Sequence, residues 1–246
     1  MNKKFLQLLH ISDSSFPSGA YGHSSGLEFA IEQGWVKDGK SLLAWSTNYL
    51  QFSLATLDAV AITKAYNLIS LKLLENFTDG EYKNTFFNHL EELDQELASF
   101  RMGRGQREAS AQTGRSFMRI CCDIFSEYEV LEKLQLHIKR SLASDTSWAM
   151  LQFPIAWGII GKLLEVELEL LIQTFYLGIF RQWSHTAVRI IPIGQVEANR
   201  FVVEMMPHIN EKKYIPQESE TFQSCVPGID LSCMGHYNMK ARYFRS

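Results

Sequence analysis

Ser41-Leu42-Leu43-Ala44-Trp45-Ser46-Thr47-Asn48-Tyr49-Leu50-Gln51-Phe52 carries its large apolar residues at Leu42, Trp45, Tyr49 and Phe52. Steps of three, four and three residues put all four on one stripe of a helix, and they do not alternate as a half-buried strand requires. Ser41, just ahead of the stripe, belongs to the residue class that caps a helix by accepting backbone N–H groups. The same spacing recurs along the chain. Residues 59–74 read as a second helix, closed by the Asp79–Gly80 turn. Residues 81–100 set Phe86, Leu90, Leu93 and Leu97 on one side and acids on the other. Gly103 and Gly105 interrupt the pattern, and residues 108–125 and 128–141 resume it. Asp145 is a candidate N-cap for the apolar run 148–160, where Pro154 starts or kinks the helix. Residues 165–183 are apolar on several faces, which implies burial. Residues 194–206 follow the Ile191-Pro192 break. From Pro207 the periodicity fades, and 221–246 read as an irregular tail with a short helix at most. No stretch sustains a period of two, so the expected fold is all-α: a single-domain multi-helix bundle with a flexible C-terminal tail.

Composition bounds the function. A chain of 246 residues that is 46% hydrophobic can bury one substantial core. No Ser/Gly-rich linker or internal repeat divides it, so residues 1–246 read as one domain. The net charge of −3 and the absence of a dense Lys/Arg cluster argue against nucleic-acid binding, which needs a basic surface to displace counterions from phosphates. The run 148–160 contains Gln152 and Pro154 and falls short of the roughly 20 apolar residues of a membrane span. The apolar stretch after Lys3 and Lys4 is broken by Gln7, His10 and Asp13, too short for a secretion signal. A cytoplasmic protein is expected, with Cys121, Cys122, Cys225 and Cys233 as reduced thiols.

Two catalytic motifs match in letters only. Gly34-Trp35-Val36-Lys37-Asp38-Gly39-Lys40-Ser41 fits the phosphate-binding pattern G-x-x-x-x-G-K-[ST], which would put Lys40 on terminal phosphates and Ser41 on magnesium. That device needs a buried strand upstream, and Leu27 to Gln33 carry helical spacing and two carboxylates instead. The expected arrangement is a helix–loop–helix connection, with Gly34 closing one helix and Ser41 capping the next. Gly22-His23-Ser24-Ser25-Gly26 fits the serine-nucleophile elbow G-x-S-x-G, which would make a serine hydrolase of Ser24. It follows a loop-like segment, in a chain without alternating strands and helices. Cys225, Cys233 and His236 are weak candidates for a thiophilic metal, which would make the protein a nickel-binding chaperone in its own right. Their spacing is not that of a tight structural site, and no fourth ligand is evident.

Four segments, in order, resemble the UreF family of urease accessory proteins. Residues 16–28, from Phe16-Pro17-Ser18-Gly19-Ala20-Tyr21 through Gly26-Leu27-Glu28, resemble its N-terminal signature. Arg107-Glu108-Ala109-Ser110, with Gly114-Arg115, resembles its middle segment. Ala187-Val188-Arg189 with Pro192-Ile193-Gly194-Gln195 resembles a third, and His236 with Arg242-Tyr243-Phe244-Arg245-Ser246 the ending. Tyr237 stands where the family has Glu, Tyr243 and Ile193 where it has Leu. The resemblance implies an all-helical homodimer that is not an enzyme and binds no cofactor stably. It implies work with a second scaffold, UreD (also called UreH), to recruit the GTPase UreG and couple GTP hydrolysis to nickel insertion into apo-urease.

On that reading the candidate partner-binding residues are Pro17, Gly19, Tyr21, His23, Ser24, Gly26 and Glu28 in the loop. The tail adds His236, Arg242, Phe244, Arg245 and Ser246. Arg107, Glu108, Gly114, Pro192, Gly194 and Gln195 are structural: Gly114 permits close helix packing, and Gln195 starts a helix or fixes the loop before it. Ser25 and Glu28 also fit the capping-box spacing S-x-x-E, which offers Glu28 a local role. Arginine and aromatic residues are the types enriched at interface hot spots. Residues 221–246 are therefore expected to be a partner-responsive tail that becomes fixed on the second scaffold and buttresses the Tyr21 loop.

Overall fold

The helix that carries Leu42 and Tyr49 starts at Asp38. The Asp38 carboxylate accepts the Ser41 N–H at 2.8 Å, and the Ser41 hydroxyl accepts the Asp38 N–H at 3.1 Å. This is a reciprocal capping box, so Asp38 is the N-cap, and Ser41, expected there, is its partner inside the first turn. The computed structural model describes residues 3–69, 80–143, 151–240 and 242–245. Its long elements are α1 (Lys3–Ile11), α2 (Leu27–Glu32), α3 (Gly39–Tyr49), α4 (Ala59–Leu68), α5 (Gly80–Ser99), α6 (Arg104–Ile124), α7 (Glu129–Ala143), α8 (Phe153–Leu163), α9 (Leu168–Ile190), α10 (Gln195–Ile209) and α11 (Pro227–His236). No strand occurs among the described residues, and no helix there is long and apolar enough to cross a membrane.

Between α3 and α4 the backbone continues as a π-helical stretch, Leu50–Asp58. Its wider i→i+5 turn shifts the phase of the side chains. Phe52, expected to extend the Leu42 stripe, is consequently 43% exposed, while Ser53 and Leu54 turn inward. The Phe52 and Thr56 carbonyls accept the N–H groups of Cys225 and Gln223, both at 3.0 Å, so residues 223–225 run along this stretch.

The core is centred on α8, nine of whose eleven residues are buried. It packs on α4 and α6 through glycines. A Cβ on Gly158 would lie 2.5 Å from the Ile62 carbonyl oxygen, and one on Gly114 2.1 Å from that of Leu151. Both contacts bring backbone against backbone, a distance that only glycine allows. Trp183, Tyr176, Phe117 and Phe180 fill the remaining interior. Tyr49 stacks on Trp183 with centroids 5.1 Å apart, and the Tyr176 hydroxyl donates to the Tyr214 carbonyl at 2.8 Å.

Several boundaries differ from expectation. The helix expected over 108–125 begins at Arg104, and the one over 165–183 runs from Leu168 to Ile190. The apolar run becomes helical at Phe153, with Pro154 in its first turn, where a missing N–H costs nothing. The expected cap Asp145 and the run's first residues, 148–150, lie outside the described residues, as do 70–74 of the second helix and Asp79. The start of α8 is served by Asp94, whose carboxylate accepts the N–H groups of Leu151 at 2.9 Å and Gln152 at 2.8 Å. Burial pushes this carboxyl up to about 7, against the pull of those two N–H groups. Beside it Arg101, 4% exposed, donates to Gln152 Oε1 and to Asp58 Oδ1, each at 2.6 Å. This buried pair ties the π-helical stretch to the α5–α6 connection and to the start of α8.

Candidate functional site

Glycine decides how the loop at residues 12–26 enters α2. Gly26 has φ +80°, and a Cβ there would meet the Cys233 nitrogen at 2.9 Å. It is the N-cap of α2, without a side-chain cap. The capping box expected between Ser25 and Glu28 is therefore not made: Ser25 adopts φ 52° and stands outside the helix. Earlier in the loop a 3₁₀ turn covers Ala20–Gly22. Gln182 of α9 holds this turn from below, donating through Nε2 to the Ala20 carbonyl at 2.8 Å and also to the His23 carbonyl.

Freed from capping, Glu28 turns toward the far end of the chain. It is 2% exposed. His236 Nε2 lies 2.9 Å from its Oε2, the Tyr243 N–H donates to Oε1 at 2.6 Å, and the Phe244 N–H donates to Oε2 at 3.1 Å. A carboxylate accepting several N–H donors in a buried place makes a strong, directional anchor. The Arg245 N–H adds a bond to the Gly22 carbonyl at 2.8 Å, and the Arg189 guanidinium sits 5.7 Å from the centre of the buried Phe244 ring. The tail expected to be loose is thus joined to the loop within the chain itself. Behind it, α11 packs closely on α2, where a Cβ on Gly235 would meet the Phe29 ring at 2.3 Å.

The candidate residues divide by direction. His23, Ser24, Glu28, His236 and Phe244 are buried, and Glu28 makes the side-chain bonds to His236 and the tail backbone. Burial first, then Arg245 and His236, pull the His23 imidazole down to about 4, so it is neutral near pH 7. Pro17, Gly19, Arg242 and Arg245 are exposed, and Tyr243 is 75% exposed. The backbone of Tyr21 lies in the 3₁₀ turn; Ser246 lies outside the described residues. The middle segment lies half-buried in the first turns of α6. Ser110 Oγ accepts the Phe153 N–H at 3.2 Å, Arg107 donates to the Arg101 and Met102 carbonyls, and Glu108 pairs with Arg104 at 2.7 Å. Gly194 is the N-cap of α10 and Gln195 its first residue, with Pro192 exposed in the preceding turn.

The alternative chemistries lack their settings. The Ser24 residue is fully buried in a loop with no strand before it. Lys40 lies in the first turn of α3, whose start is closed by the Asp38 box, and Gly34 closes α2 with φ +73° as expected. The possible metal ligands are not gathered into one site, although Cys233 and His236 both lie on α11. Cys225 is exposed beside the π-helical stretch, and His236 is engaged by Glu28. Burial pushes the Cys233 thiol up to about 12. No group of three or more metal-ligating side chains is assembled among the described residues. Sequence reasoning missed Gln182 and Arg189. The signal available for Gln182 is its place beside the apolar stretch 175–180 and Trp183 of α9, where a half-buried polar side chain needs a partner.

The UreF family model matches residues 36–206. A similar protein, the urease accessory protein UreF of Corynebacterium glutamicum (strain R), is 27% identical over 241 residues, which cover 97% of this chain and 96% of that protein. The loop and the tail lie outside the residues that the family model matches.

Proposed function

The chain belongs to the UreF family, and from that membership we propose that it is the adaptor of a urease-maturation assembly. It acts in the cytoplasm as a homodimer. With a UreD-type scaffold it recruits the GTPase UreG and couples GTP hydrolysis to nickel insertion into apo-urease, nickel being cargo of the assembly. The observation that supports this reading is the clasp between the two ends of the chain. Glu28 holds residues 243 and 244 by their backbone, which leaves the Arg242, Tyr243 and Arg245 side chains outward beside the loop. Guanidinium groups and an exposed aromatic ring on an ordered support are the chemistry of an interface anchor. The second scaffold favours this clasped arrangement, and the GTPase docks on it.

The test is co-purification of the three proteins with a chain lacking residues 240–246. Loss of the ternary complex, with an unchanged helical circular-dichroism spectrum, is the expected result. A complex that survives the deletion overturns the role given to the tail.

A further inference from the structure

Behind the loop, a cavity of about 90 Å³ lies between the π-helical stretch, the start of α6 and the middle of α9. Two residues that line it carry buried acceptor oxygens that no donor among the described residues reaches, Asp58 Oδ2 and Gln106 Oε1. Asp58 is 3% exposed, and its other oxygen is taken by Arg101 at 2.6 Å. A buried acceptor without a donor bears its whole desolvation cost, so these two oxygens select for N–H or O–H groups.

The wall is electrically balanced. Arg101 offsets Asp58, while His23 near pH 7 and the Cys233 thiol are uncharged. A cation would meet Arg101, and an anion would meet Asp58. The rest of the lining combines the polar side chains of Ser25, Ser110, Thr113 and Gln182 with an apolar side that includes the Phe153 and Phe175 rings, 5.5 Å apart. The volume equals about three water molecules at ~30 Å³ each, room for a planar molecule of about four heavy atoms.

We propose that this cavity is a binding site for a small, neutral, planar molecule with at least two N–H donors, of the primary amide or diamide class. Its donors satisfy Asp58 Oδ2 and Gln106 Oε1, and its plane lies against the aromatic wall. The site touches His23 of the loop and Cys233 of α11, so its occupant bears on both sides of the clasp from within.

Water offers the same donors, and the test separates the two. Saturation-transfer NMR on the full chain uses acetamide and urea at millimolar concentration as probes. Acetone, of the same shape without N–H groups, and guanidinium, a charged analogue, serve as controls. The amides are expected to bind and the controls not. Gln106→Met, which removes one acceptor at a partly exposed position, weakens amide binding about fivefold to tenfold, the scale of one hydrogen bond. Ala109→Leu, which fills the cavity, abolishes it. Circular dichroism confirms that both variants are folded. Acetone binding as well as the amides overturns the proposal, as does amide binding that neither variant alters. Long-lived water signals with no amide binding also overturn it, since the cavity then holds solvent alone.

Discussion

Glu28 shows how one side chain escapes its local pattern. Its spacing from Ser25 is that of a capping box, yet its partners lie 208 to 216 residues away. No local spacing records such a pairing, so the clasp was not legible although most of its members were. Glu28→Gln keeps the volume but loses the charge and one acceptor, at a cost of about 2 kcal/mol. Amide hydrogen exchange at Tyr243 and Phe244 should accelerate by more than tenfold; unchanged protection would refute the anchor. His23 predicts a pH dependence. The folded chain keeps it neutral down to about 4, whereas the unfolded chain protonates it near 6.5. Between those values the unfolded state binds more protons, so this residue's contribution is full above 6.5 and is lost as pH falls toward 4. Asp94, pushed up to about 7, titrates in the opposite sense. The informative quantity is therefore the stability difference between the wild type and His23→Gln. From urea unfolding, that difference should fall by up to about 3 kcal/mol between pH 7.5 and pH 4. A constant difference would show that His23 is not held neutral.

At the scale of elements, the apolar stripes of α5, α8 and α9 were legible because they repeat with the α-helical period and bury on folding. The π-helical stretch was not. Its apolar residues read as a continuation of the same period, and nothing in Leu50 to Asp58 announces the wider turn. The start of α8 departs from expectation for a related reason: Asp94, from another helix, holds the N–H groups of Leu151 and the N-cap Gln152 just ahead of it, so the nearest upstream aspartate was a poor guide. Gly158 carries the α4–α8 contact at backbone distance. Gly158→Ala forces a Cβ to within 2.5 Å of the Ile62 oxygen and should cost about 1–3 kcal/mol, read as a lower melting temperature. The same change at Gly105, where a Cβ meets nothing within 4 Å, is the control and should leave the melting temperature unreduced.

For the whole molecule, the Arg101–Asp58 pair is the joint between segments distant in sequence, and composition gave no hint of it. Arg101 lies in the short connection between α5 and α6, where an arginine is normally solvated. Arg101→Met leaves Asp58 buried without its partner and should destabilise by about 3–5 kcal/mol, whereas adding Asp58→Leu should recover most of the loss. Calorimetry of the single and double variants decides it; equal melting temperatures for the two would remove the pair from this role. The clasp has a different consequence at this scale. Residues 28 and 243 close a loop of almost the entire polypeptide, a contact of the least local kind. During synthesis the helices can collapse before residues 243–245 leave the ribosome, but the amino-terminal turn stays unfastened until those residues emerge. A nascent or truncated molecule would thus be helical yet wear an unfinished face, and a partner that reads that face would engage only chains translated through to their arginines.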